Sequence, residues 1–147
     1  MKTFVSLCFI LLVTLSSSRY LPIKFESCYP VGPNDVWLAK SVEVIQDPTL
    51  NDVITISAKG FVNNLGYYVD FQEILANGTV GDYHWNDTIP YFNRIVGYGK
   101  YLSLNYTTAI PKLNENTVNV TMQALGPKGN VLGCVDIVLT NRTSIWN

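Results

Sequence analysis

An all-β sandwich or barrel is the fold class that this 147-residue sequence predicts, with about seven antiparallel strands. Three observations lead there. Apolar residues recur at every second position along several stretches. Those stretches are rich in Val, Ile, Tyr and Thr, which suit a pleated, half-buried surface. Turn-forming residues break them at intervals of about eight to twelve residues, and no stretch has a convincing helical period.

The elements follow in order. Phe25 to Cys28 reads as a short first strand, and Val36 to Ile45 as a second that Asp47-Pro48 stops. Asn51-Asp52 turns the chain into a strand from Val53 to Val62. Asn63-Asn64-Leu65-Gly66 is a turn opening a strand from Tyr67 to Leu75, which Asn77-Gly78 ends. Gly78 to Gly99 is the least regular part, and Lys100 to Thr108 is a further strand. Val118, Val120, Met122 and Ala124 alternate with Asn119, Thr121 and Gln123, the cleanest strand of all. Gly126-Pro127-Lys128-Gly129-Asn130 is a hairpin turn, because Gly and Asn accept positive φ and Pro pre-sets the bend. Val131 to Leu139 is its partner strand.

The first residues set the compartment. Met1-Lys2 is a short positive start, Phe4 to Leu15 is an apolar stretch, and Ser16-Ser17-Ser18 offers small residues for cleavage. That is the build of a secretory signal peptide over 1–18, leaving a single domain over 19–147. The apolar core is short for a membrane span, which needs about 20 residues. Cleavage removes Cys8, so three cysteines become two, Cys28 and Cys134. In an oxidising compartment the pair suits a disulfide, the alternative being two separately buried thiols. Five sequons fit the same compartment, at Asn77, Asn86, Asn105, Asn119 and Asn141. Asn119 lies within the expected strand, so its side chain must face outward.

Several function classes are excluded. The net charge is −1 and the basic residues are scattered, which leaves no footprint for nucleic acid and no basic cluster for anionic membranes. Two thiols and one distant histidine make a poor zinc site, so no metal or cofactor is expected. His84 is the sole histidine, in Tyr83-His84-Trp85-Asn86-Asp87, with no nucleophile-elbow sequence to serve. Asp70 and Glu73 fall on opposite faces of their strand. No catalytic residue is identified, and an enzyme is not expected.

The apolar content is more informative. The candidate inner faces carry Phe25, Ile54, Ile56, Tyr67, Val69, Phe71, Val120, Met122, Val135, Ile137 and Leu139. Such residues either fill the gap between two sheets or, if the sheets part, line a slot for a lipid tail. Trp85, Ile89, Pro90, Tyr91, Phe92, Ile95, Val96 and Tyr98 add apolar surface to the irregular stretch. That surface is either a satellite of the core or a cover over a pocket mouth.

Short motifs at the two ends of the chain resemble a known family. Phe25-Glu26-Ser27-Cys28, Ala109-Ile110-Pro111-Lys112-Leu113 before a Val-x-Val strand, and Cys134-Val135-Asp136-Ile137 in the last hairpin stand in the order and spacing of the ML domain. This lipid-recognition family includes a Niemann–Pick type C sterol carrier, mite group 2 allergens and phosphatidylglycerol/phosphatidylinositol transfer proteins. The resemblance spans about Ile23 to Thr140. It implies an immunoglobulin-like β-sandwich with an apolar cavity between its sheets and a disulfide joining first and last strands, here Cys28 to Cys134. Family members often carry further disulfides mid-chain, and this sequence has none.

The expectation is therefore a monomeric lipid-binding and lipid-transfer protein, secreted or endolysosomal, carrying a sterol or phospholipid with transient membrane contact. Val69, Phe71, Val120, Met122 and Ile137 are the expected lipid-binding walls, with the stretch from Trp85 to Phe92 near the entrance. The alternative is a secreted immunoglobulin-like protein-interaction module with a solid core.

Overall fold

A computed structural model describes residues 20–28, 36–50, 52–63, 68–110 and 117–141. The expected leader over 1–18 and the side chain of Asn141 lie outside the described set, as does Tyr67. Among the described residues every regular element is a strand, and none is a helix long and apolar enough to cross a bilayer.

The described residues form ten strands: β1 (Tyr20–Ser27), β2 (Trp37–Gln46), β3 (Val53–Val62), β4 (Val69–Phe71), β5 (Glu73–Val80), β6 (Tyr83–Ile89), β7 (Arg94–Val96), β8 (Tyr101–Ala109), β9 (Thr117–Leu125) and β10 (Val131–Asn141). They form a five-stranded sheet in the order β1-β10-β9-β5-β6, a three-stranded sheet β2-β3-β8, and a two-stranded ribbon β4-β7. All pairs are antiparallel.

Alternation decides which face each strand buries. In β9, Val118, Val120, Met122 and Ala124 are buried while Asn119 is exposed. β3 buries Ile54, Ile56, Ala58 and Val62, and β8 buries Leu102, Leu104 and Tyr106. These side chains belong to one core cluster spanning both larger sheets, so the sheets pack face to face. Side chains of period two leave no other way to remove both apolar faces from water.

One edge of the sandwich is closed by the backbone. Val36 N–H donates to Leu132 O at 2.7 Å, carrying the start of β2 onto β10. Trp37 fills this corner, fully buried, with its indole N–H donating to Leu102 O at 3.1 Å. Its ring crosses the backbone of Gly133, where any Cβ would collide with it. Beside it, Cys28 and Cys134 form a disulfide with a Cα–Cα distance of 5.3 Å across 106 residues.

Four expectations need correction. The expected strand from Tyr67 to Leu75 is two strands, β4 and β5, broken at Gln72, whose N–H donates instead to Leu125 O at 2.8 Å. Asn77-Gly78 does not end a strand but lies inside β5. The stretch expected to be irregular, Gly78 to Gly99, holds all of β6 and β7. Phe25, expected on an inner face, is 38% exposed, because β1 is an edge strand whose register slips between Pro22 and Lys24.

Candidate functional site: the inner wall and its clasp

The inner wall of the five-stranded sheet is built from cross-strand rows. Ile137 of β10 lies opposite Val120 of β9, which lies opposite Gly78 of β5 and then Trp85 of β6. The adjacent row runs Val135, Met122, Ala76 and Asp87. Thus Val120, Met122 and Ile137 share one contiguous, fully buried surface. Val69 and Phe71 are also buried and belong to the same core cluster, but they stand on the β4-β7 ribbon. Gln72 links that ribbon to the end of β9.

Side-chain volume falls sharply along each row. The large residues of β9 and β10 give way to Ala76 and Gly78 on β5, and Trp85 leans over the space that Gly78 leaves. A Cβ at Gly78 would overlap the six-membered ring of Trp85. Glycine is thus required there by close approach, not by backbone conformation.

Trp85 and Asp87 meet the opposite sheet through Tyr106. The indole N–H of Trp85 donates to the Tyr106 hydroxyl oxygen at 2.8 Å. The Tyr106 hydroxyl in turn donates to Asp87 Oδ2. Tyr106 is 2% exposed, and burial raises its pKa above the usual 10.0, with the bond to Asp87 acting in the same direction. These three side chains clasp β6 to β8, closing the edge opposite Trp37. Trp85, expected near an entrance, is a half-buried part of this clasp. Tyr106 and Asp87 were missed altogether.

The ribbon end has a different surface. Ile89, Phe92 and Val96 pack against the core, whereas Tyr91, Ile95 and Tyr98 are exposed, together with Tyr68 and Tyr101. The reading as a satellite of the core therefore holds for Ile89, Phe92 and Val96. Phe92 N–H donates to Gln72 O at 2.9 Å, and its neighbours Tyr91 and Asn93 adopt φ of 61° and 44°. Non-glycine residues rarely accept this left-handed backbone. Cations flank the aromatics: Arg94 lies 5.4 Å from the Phe92 ring and Lys59 5.4 Å from the Tyr101 ring.

Among the described residues no group of three or more His, Cys, Asp or Glu side chains is placed to hold a metal. His84 is exposed on the outer face of β6, opposite Thr79. The sequon residues Asn77, Asn86, Asn105 and Asn119 are all exposed.

No family model matches the chain, and no curated protein matches it. Among the solved structures that resemble it are two of low sequence identity. A Niemann-Pick type C2 protein from Japanese carpenter ant is 14% identical, with a TM-score of 0.49 over 79% of this chain and 97% of that one. Chicken MD-1, solved in complex with lipid IVa, is 9% identical, with a TM-score of 0.43 over 86% of this chain and 99% of that one.

Proposed function

We propose that this protein is an exported lipid carrier that holds the hydrocarbon of a sterol or phospholipid between the two larger sheets, in the extracellular or endolysosomal space. The observation that carries this reading is the inner wall: Val120, Met122 and Ile137 form one apolar surface beside the small residues Ala76 and Gly78. A lipid site needs such a wall, mainly apolar and with few polar groups. Met122 suits a loosely shaped guest, because its unbranched chain adapts to irregular contacts. The resemblance of the two cysteine segments to the ML domain supports the same reading.

The physical basis is transfer of apolar surface. Each CH₂ taken from water into the wall gains about 0.8 kcal/mol. Extraction from a bilayer gains little of this, since the tail is already dry there. A carrier therefore needs contact with the membrane surface during transfer, and the exposed tyrosines of the ribbon end, with Arg94 beside them, suit that contact. No reaction is involved, and the role is that of a carrier acting as a monomer.

Organic extraction of protein purified from its native host, followed by mass spectrometry, tests the reading. A stoichiometric lipid is expected. A clean extract from an intact fold would instead favour a protein-interaction module with a solid core.

A further inference from the structure

We infer that Asn77 and Asn86 form a single N-glycan acceptor site, at which an exported molecule carries one glycan and not two. Both asparagines sit in acceptor sequons, Asn77-Gly78-Thr79 and Asn86-Asp87-Thr88. Nine positions apart in sequence, they look like separate sites. The register places them directly opposite each other on β5 and β6, both exposed on the outer face of the five-stranded sheet. Directly opposed side chains have Cβ atoms about 4.5–5.5 Å apart and leave the sheet in the same direction. An N-glycan is bulky from its first sugar onward, so one attached at either position fills the space in front of the other.

Transfer makes a bond from the asparagine Nδ2 to C1 of the first sugar. It breaks the C1–O bond to the pyrophosphate of an oligosaccharyl lipid donor, which leaves with the bonding electrons. One amide proton passes to a base of the transferase. The acceptor must be reached while the chain is being exported, and only Gly81 and Asp82 connect the two strands. Hairpins form in about 1–10 μs, whereas synthesis adds about 5–20 residues each second. The two asparagines therefore meet while the transferase is still at work, and the first modification blocks the second.

Asn119 is a different case. It lies opposite Thr79, one row along from Asn77 and two strands from Asn86. Strand spacing and rise put Asn86 and Asn119 about 12 Å apart, so both can be occupied together.

The inference rests on the export half of the preceding reading and not on lipid binding. The test is secretion from eukaryotic cells and tryptic digestion. Lys59 and Arg94 bracket one peptide, residues 60–94, that carries both asparagines, so its mass counts glycans per molecule. The expected result is a peptide with one glycan and no doubly modified form. Asn77→Gln should raise occupancy of Asn86, and Asn86→Gln that of Asn77. Thr88→Ala, which leaves both asparagines in place, should also raise occupancy of Asn77. A doubly modified peptide at the product of the two single-site frequencies would overturn the inference. So would a bare peptide from molecules glycosylated at Asn105 or Asn119. A protein bare at every sequon would overturn it together with export, while the lipid extract reads the carrier property separately.

Discussion

Tyr106 donates its hydroxyl proton to Asp87 across the gap between the two sheets, and at the same oxygen it accepts the indole N–H of Trp85. This places three hydrogen-bonding groups at one edge of an otherwise apolar interior. Replacing Tyr106 by Phe keeps the ring and leaves the Trp85 N–H without its acceptor. A loss of about 1–3 kcal/mol is expected. Urea denaturation should show a lower midpoint with an unchanged slope; an unaltered midpoint would mean that the clasp contributes nothing to stability.

The same tyrosine predicts an alkaline effect. Its folded pKa lies above 10.0, chiefly because burial disfavours the phenolate. Below pH 10 both folded and unfolded chains keep the proton, and the full stability is present. As pH rises past about 10, the unfolded chain releases a proton that the folded chain retains, so stability falls. Denaturation midpoints between pH 9 and 11 should therefore drop more steeply for the native sequence than for Tyr106→Phe.

Asp47 predicts an acid effect of opposite sign. Its carboxylate accepts from Thr49 N–H at 2.8 Å, the Thr49 hydroxyl at 2.8 Å and Leu50 N–H at 2.9 Å. The Thr49 backbone bond comes first among the causes holding its pKa below 3.8. The stabilisation is present above that value and is lost as pH falls through the lower, folded one. Carboxyl-carbon NMR titration should place Asp47 below an ordinary aspartate, and Thr49→Ala should move it back up.

Gly78 and Trp85 form a testable pair. Gly78→Ala retains the sequon but drives a methyl into the indole, and overpacking of this kind costs about 1–3 kcal/mol. With Trp85→Ala in the background, the added methyl should cost much less. A double-mutant cycle in chemical denaturation measures the difference, and additive effects would mean that the two side chains do not compete for space.

For the inner wall, Val120→Trp and Ile137→Trp are each expected to abolish uptake of a radiolabelled sterol or phospholipid while secretion persists. Unchanged uptake in both would remove these residues from the binding surface.

How much of this was legible in the sequence depended on the neighbours of each strand. β9 was readable because it lies between β10 and β5, with one face against the core and the other polar, so Val118 to Ala124 alternate without exception. The hairpin at Gly126 was readable because its turn chemistry is local, and Gly126 N–H does donate to Asn130 O at 2.9 Å. β6 was not readable. It is an edge strand whose inner face includes Asp87, so its alternation of apolar and polar residues is broken. Asn77-Gly78 resembled a turn for a related reason: the glycine answers to Trp85, a partner in the next strand and not in the local chain. Val120, Met122 and Ile137 were brought together by register that alternation had implied. The Tyr106 clasp joins residues of two different sheets, and no periodicity within one strand reports it.

The disulfide between Cys28 and Cys134 sets the order in which the molecule can be completed. Cys28 precedes its partner by 106 residues and must wait for all of them to be synthesised before the bond can form. Until then β1 has no neighbour to pair with, because β10 is the strand it joins. Closure of that edge therefore waits on β10, and the thiol of Cys28 is without its disulfide partner until then.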